Sequence, residues 1–361
     1  MMQKMTHAER IKSVLEGKPA DRIPFAAWGP HMNLVDRNEG DFTKAVIAYQ
    51  NQHNFDVLKI MSNGLYNVED FGQEFSLPQH ADDAGYRLST RAAFNSVGDW
   101  LHATKKDPYE GTMGRELRVM KNLRAYYGDC VPIVPTIFGP SRSLMGLSGT
   151  SKGSFVYNGY ENFRDFVLDN EQAYGQIMEL MTEQVIDLMN GFIDMGADGF
   201  FYCAGGDVYK DDGDYKADGF STDEYYKYIR VYDDKVLNAI KDKTWFNMLH
   251  IHGNSYLRME QLVTLPGIQA INWEDQSPFN PSLAQVRAMT DKVLMGGVDR
   301  CNDFYGPYRD KIKAILRMKV EEAVRQAGTK LIVAGGCECD RETNHRFVVW
   351  DEVLEEMASG K

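Results

Sequence analysis

The 361-residue sequence contains no long apolar run. No stretch approaches the ~20 consecutive apolar residues of a membrane-crossing helix, so no membrane role is expected. A surplus of positive charge is missing too. With 40 Lys and Arg against 52 Asp and Glu, the formal charge is −12. Such a chain lacks the clustered cations that displace counterions from a phosphate backbone, and nucleic acid is not an expected partner. Its five cysteines, Cys130, Cys203, Cys301, Cys337 and Cys339, show no paired secretory spacing. A reducing, cytoplasmic setting is therefore expected, in which thiols are free to bind metal. The glycine clusters CAGGD at 203–207 and AGGC at 334–337 have neither P-loop nor dinucleotide spacing, which argues against a nicotinamide fold. Internal repeats, low-complexity tracts and linkers are also lacking, so a single domain over 1–361 is expected, as a monomer or homodimer.

What is present is alternation. Hydrophobic residues make up 43% and charged residues 25%, the balance of an ordinary globular protein. Short runs rich in Val, Ile, Phe and Leu lie at 22–28, 55–61, 131–138, 198–203, 245–252, 268–273, 292–298 and 330–334. Amphipathic segments separate them, as in a parallel sheet covered by helices, and eight such units predict a closed (β/α)8 TIM barrel. The opening MMQKMTHAERIKSVLEG places Thr6 and Glu9 at capping-box spacing, a helix start rather than a secretory signal. Ile177, Leu180, Met181, Val185, Leu188 and Met189 recur at helical spacing before Gly196. Two segments depart from the alternation and are expected to be insertions: 82–127, carrying a short hairpin, and the polar, Gly-rich 207–220.

Most of the apolar runs end in Gly, Pro or a polar cluster, including WGP at 28–30, HIHGN at 250–254, WEDQSP at 273–278 and AGGCECD at 334–340. In a barrel these loops gather on the face where chemistry occurs. Alternate strand residues face the same way, so His250 and His252 project together while Ile251 points to the helices. By itself the pair also fits two buried histidines satisfied by carboxylates or carbonyls. A cysteine at the same end of the last strand changes that weighting. A thiolate with two neutral imidazoles makes a three-ligand zinc site with one position open, the arrangement of catalytic zinc. From the residues alone, Cys337 and Cys339 both compete for the thiolate role.

At HIHGN and AGGCECD the sequence resembles the uroporphyrinogen decarboxylase superfamily, whose members are (β/α)8 barrels and include zinc-dependent methylcobamide methyltransferases. The resemblance spans nearly the whole chain. It runs from AERIKSVLEGKPADRIPF at 8–25 through GDCVPIVPTIFGPSRSLMGL at 128–147 and MGADGFF at 195–201 to the final strand. True decarboxylases of the family carry an arginine-rich segment after the first strand and an aspartate after the second. Here those positions read WGPHMNLVDRN, without the arginines, and MSNGLYNVED, with Asn63 at the aspartate position. The methyltransferase branch holds zinc with a His-x-Cys pair and a distant Cys in a Gly-Cys context. The resemblance thus implies His250 and Cys337 as ligands, with His252 replacing a cysteine. Exchanging a thiolate for a neutral imidazole makes the zinc a stronger Lewis acid, which suits activation of an oxygen as well as a thiol.

The function expected is zinc-dependent methyl transfer between a corrinoid (cobalamin) and a small-molecule methyl donor or acceptor, a methoxylated compound or a thiol. The corrinoid would be free or carried by a corrinoid protein partner. The alternatives are a metal-free decarboxylase and a non-catalytic barrel with a structural zinc. Glu274, Asp275 and Asp299 follow the sixth and seventh strands and are candidates for fourth ligand or proton donor, Glu274 and Asp299 being the expected catalytic pair. Trp28, Tyr202, Trp273 and Phe304 are candidates for an aromatic wall, and His31, Asn63 and Cys203 for further substrate contacts.

Overall fold

In the computed structural model the described residues are 4–29, 32, 34–64, 66–76, 89–150, 154–155, 162–211, 217–300, 302–303, 309–339 and 348–360. His31 and Phe304 lie outside them.

Eight strands form the central sheet: β1 (Phe25–Ala26), β2 (Leu58–Ile60), β3 (Ile133–Phe138), β4 (Phe201–Cys203), β5 (Met248–His250), β6 (Ala270–Asn272), β7 (Val293–Val298) and β8 (Leu331–Gly335). Each falls within one of the apolar runs except that β8 runs one residue further, to Gly335, and all pairings in the sheet are parallel, in the order β1-β8-β7-β6-β5-β4-β3-β2. The barrel is nearly closed. Where β1 meets β2, the Asp56 amide donates to the Phe25 carbonyl (2.8 Å) and the Phe25 amide to Asp56 Oδ2 (2.7 Å).

The strand pleat sorts the core into two layers. Leu58, Ile60, Leu249, Ile271 and Leu294 face outward into the shell of helices. Val57, Met61, Val134, Phe201, Met248 and Met295 face inward and fill the barrel. The shell includes α1 (His7–Leu15), α2 (Glu39–His53), α3 (Gly111–Tyr127), α4 (Pro140–Ser148), α5 (Glu171–Asp194), α6 (Val231–Ile240), α7 (Arg309–Ala327) and α8 (Val348–Ala358). The capping box closes the start of α1, with the Thr6 amide on Glu9 Oε2 (2.8 Å) and the Glu9 amide on Thr6 Oγ1 (3.2 Å). The apolar stripe of α5 is buried as its spacing predicts except at Leu180, which is half-buried, and the chain leaves that helix at Gly196, with φ +98°.

Between β2 and β3 the described residues form an antiparallel pair, Glu74–Phe75 with Ser89–Arg91, then the short helix Val97–His102 and the long α3. In the 207–220 segment, Asp207 turns back toward the strand ends and Asp218 pairs with the buried Arg258 (3.0 Å). Among the described residues no helix is long and apolar enough to cross a membrane.

Candidate metal centre

His250 is the last residue of β5, and Cys337 lies two residues beyond the end of β8. Both are therefore at the carboxyl ends of the strands. The pleat turns Met248 and His250 into the barrel and Leu249 and Ile251 out of it. Cys337 Sγ stands 3.7 Å from His250 Nε2 and 3.7 Å from His252 Nε2. A ligand atom from each of the three residues lies within 4.8 Å of the others, and no fourth His, Cys, Asp or Glu joins this group among the described residues.

The orientation of His250 is set by a neighbour that sequence reasoning did not single out. The β5–β6 register places Asn272 directly beside His250. Asn272 Nδ2 donates to the carbonyls of Met295 (3.1 Å) and Gly335 (3.0 Å). Its Oδ1 must then be the atom that faces His250 Nδ1, at 2.7 Å. An amide oxygen only accepts, so His250 Nδ1 carries the proton and Nε2 presents a lone pair to Cys337. Without an ion the Cys337 thiol donates to that lone pair, and with the thiol deprotonated the same donor set fits zinc.

Burial drives the charge states. It holds the imidazolium form of His250 down despite the nearby Cys337, and it brings His252, together with the Arg142 charge, down to about 4. Both rings are neutral at pH 7, as ligands must be. Burial pushes the Cys337 thiol up, but its contact with His250 and the charge of Arg300 outweigh it, and the net shift is downward. Cys203, beside His250 on the β4 side, is pushed up to about 12 by burial and stays a neutral thiol. Cys339 donates its amide to the Trp28 carbonyl (2.9 Å) and packs into the helix-facing core, which leaves the thiolate role to Cys337.

Supporting groups hold the ligand loops. Asp207 Oδ2 accepts from the His252 amide (2.7 Å) and from Arg142 Nη2 (2.6 Å), and Arg142 Nε donates to the Ala204 carbonyl (2.9 Å). Gly253, at φ +138°, gives the sharp turn after the histidines. Gly336 lets the cysteine loop lie against Glu274, whose Cα would stand 2.4 Å from any added Cβ.

A cavity of about 180 Å³ opens over the triad, and Trp28, Asn63 and Cys203 line it together with His250, His252 and Cys337. Lys59, Arg142 and Glu338 also line it, although the sequence reading did not select them. Lys59 had a legible signal: it is the charged residue in an apolar strand and shares the inward parity of Val57 and Met61.

Tyr202 and Trp273 do not reach this cavity. Tyr202 lies between the inward residues Phe201 and Cys203, so the pleat sends it outward, where its hydroxyl donates to Asp233 of α6 (2.5 Å). Trp273 follows the inward Asn272 and likewise turns outward, donating Nε1 to the Pro281 carbonyl (2.8 Å). Glu274 sits behind the cysteine loop in an ion pair with Arg300, which also donates to the Glu338 carbonyl (2.7 Å). Asp299 accepts from the amide and side chain of Asn302 (3.1 and 2.7 Å) within its own loop. Asp275, pushed up to about 7 by burial, accepts from the Gly297 amide (2.9 Å).

A larger cavity, about 420 Å³, opens at the other end of the barrel beside Val14, Leu331 and Leu354. Its charged lining residues Lys18, Asp21 and Arg22 are engaged in ion pairs. In barrels of this architecture the chemistry belongs to the opposite face.

Fold and site together define a (β/α)8 barrel with a His, His and Cys cluster at the carboxyl ends of its strands. A family model described as uroporphyrinogen decarboxylase (URO-D) matches residues 6–348, and the chain belongs to that family. Among solved structures it is similar to a methyltransferase from Methanosarcina mazei, at a TM-score of 0.74 and 17% identity over 98% of this chain and 99% of that one. It is also similar to a B12-independent methionine synthase from Shewanella sp. W3-18-1 in complex with selenomethionine, at a TM-score of 0.53 and 13% identity over 95% and 96% of the two chains. At these identities the likeness is one of fold. No curated relative matches the sequence at a significant level.

Proposed function

We propose that the protein is a zinc-dependent methyltransferase that moves a methyl group between a corrinoid and a small substrate. The observation that carries this reading is the facing of Cys337 Sγ and the lone pair of His250 Nε2 at 3.7 Å, with His252 completing the set. His250, His252 and Cys337 would hold the ion, which would supply Lewis acidity to a substrate atom at the remaining position. Three protein ligands, with no fourth among the described residues, favour a catalytic over a structural metal.

The protein's own groups prepare that position. Asn272 keeps the proton on His250 Nδ1, and Asp207 pins the backbone of His252. Phe201, stacked on His250 with ring centroids 4.7 Å apart, shields the triad from water on one side. One thiolate and two neutral imidazoles contribute a single negative charge, which leaves a divalent ion electrophilic enough to polarise an ether oxygen of a methoxylated compound as well as a thiol. The 180 Å³ cavity is sized for a small molecule and not for a corrin macrocycle. The corrinoid would therefore approach the barrel mouth from outside, free or on a separate corrinoid protein.

Metal analysis tests the site. The wild-type protein is expected to hold one equivalent of zinc, and His250→Ala, His252→Ala and Cys337→Ala to lose it. Stoichiometric zinc in all three variants would sink the reading. For activity, a panel of methoxylated compounds and thiols added to the zinc protein with cobalamin is expected to change the corrinoid absorbance, and the triad variants are expected to abolish that change.

A further inference from the structure

The metal ligands leave one feature of the cavity unexplained, a lysine inside the barrel. Lys59 is the middle residue of β2, and its neighbours Leu58 and Ile60 point out to the helices. The pleat therefore directs Lys59 inward, and it lines the same cavity as the triad. Its Nζ lies 4.5 Å from the centroid of the Phe201 ring and 5.8 Å from that of Trp28, and it touches Met61 Sδ at 2.9 Å. A thioether is a weak acceptor and ring faces give only partial compensation, so the ammonium is poorly paired for a desolvated cation.

Among the described residues the surroundings supply no close counter-charge. Glu338 and Cys337 attract Lys59 from a distance, but no carboxylate among the described residues makes an ion pair or hydrogen bond with it. Arg142, the other cation lining the cavity, is committed to Asp207 and the Ala204 carbonyl. Lys59 Nζ and the His250 imidazole both lie against the Phe201 ring, 4.5 and 4.7 Å from its centroid, so the two ends of the cavity lie within a small molecule's length. Metal bound at the triad would neutralise the Cys337 thiolate and remove one of the charges that attract Lys59.

We propose that Lys59 is a specificity-determining residue whose ammonium binds the anionic group of the substrate, a small monoanion of the carboxylate class, while the substrate's reacting end meets the triad. This rests on the metal reading for which end reacts, but not for the binding itself. The aromatic faces of Trp28 and Phe201 flank the lysine, so a ring or short apolar body fits between the two ends. A single ammonium with no free guanidinium fork suits a monoanion better than a phosphate dianion.

The test is calorimetric titration of the zinc-loaded, full-length protein with 3-methoxybenzoate and with its neutral amide, 3-methoxybenzamide. The acid is expected to bind at least about tenfold more tightly, the worth of one charge-assisted hydrogen bond. K59M is expected to lose that preference while keeping one equivalent of zinc, and to melt at the same or a higher temperature than wild type, since a lysine kept for binding is a stability cost. K59Q serves as a second variant should K59M fail to fold. Equal affinity for acid and amide, binding of neither, or an acid preference that survives both substitutions would overturn the proposal. So would a lowered melting temperature in both variants with the preference intact, the mark of a purely structural lysine. The metal reading fails separately: Lys59-dependent binding of the acid by protein that takes up no zinc would keep this proposal and sink that one, and full zinc with no acid preference would do the reverse.

Discussion

At the scale of the residue, the arrangement depends on Asn272. Its amide spans three strands, donating to Met295 of β7 and Gly335 of β8 while accepting from His250 of β5. Partners of this kind fix the tautomer of a metal-binding imidazole, and their loss typically weakens metal binding about 10- to 100-fold. Asn272→Leu should lower zinc affinity by that factor in a chelator competition assay, with zinc still bound at saturation. Asn272→Asp should not rescue it. An aspartate keeps the acceptor for His250 but turns its second oxygen toward two carbonyl oxygens, a buried repulsion in place of two hydrogen bonds.

At the scale of the elements, barrel closure hangs on Asp56. It is fully buried between β1 and β2, accepts from Arg10 Nη1 (2.5 Å), Arg22 Nη1 (2.7 Å) and the Phe25 amide (2.7 Å), and contacts His7 Nδ1 at 2.8 Å. Burial pushes its carboxyl up, but the His7 hydrogen bond and the Arg22 and Arg10 charges outweigh that and hold it at about 2. A carboxyl held lower in the folded than in the unfolded chain adds stability that is fully present above the unfolded value of ~4. That stability is lost as pH falls toward the folded value, and here it amounts to about 2 kcal/mol. The difference in urea midpoint between wild type and Asp56→Asn should therefore be steady from neutral pH down to about pH 5 and shrink between there and pH 2. Asp56→Asn should flatten this group's part of the decline. It should also cost about 3 kcal/mol at neutral pH, because the buried Arg10 and Arg22 would lose their shared counter-charge, Arg10 keeping only Asp21 (2.7 Å) and Arg22 only the longer contacts to Asp351 (3.4 Å) and Glu355 (3.7 Å).

For the whole molecule, the metal is expected to be an addition to a fold that stands without it. The two core layers enclose the strands on both faces, and the triad lies at one rim of that core. Removing zinc with a chelator should lower the melting temperature by the free energy of metal binding while leaving the far-ultraviolet circular dichroism unchanged below the transition. Loss of secondary structure on chelation would instead place the ion among the elements that hold the barrel together, as in small zinc domains.

The sequence by itself determined the succession of elements. The apolar runs contain every barrel strand but for the last residue of β8, and the two-residue period put His250 and His252 on one side with Ile251 on the other, because alternation is a property of a single strand. The same rule, applied to 201–203 and 270–273, would have turned Tyr202 and Trp273 away from the cavity. What only the tertiary structure decided depends on register between strands and on the paths of loops. Asn272 reaches His250 through the β5–β6 register, and Asp207 meets His252 across 45 residues. Cys337 rather than Cys339 turns toward the imidazoles because the amide of Cys339 is tied to Trp28. Glu274 pairs with Arg300 behind the cysteine loop, and Lys59 enters the cavity because β2 lies beside β3 on the side of the barrel that faces the triad. Periodicity is local and can be read along the chain, whereas these contacts join residues that are neighbours only once the barrel has closed.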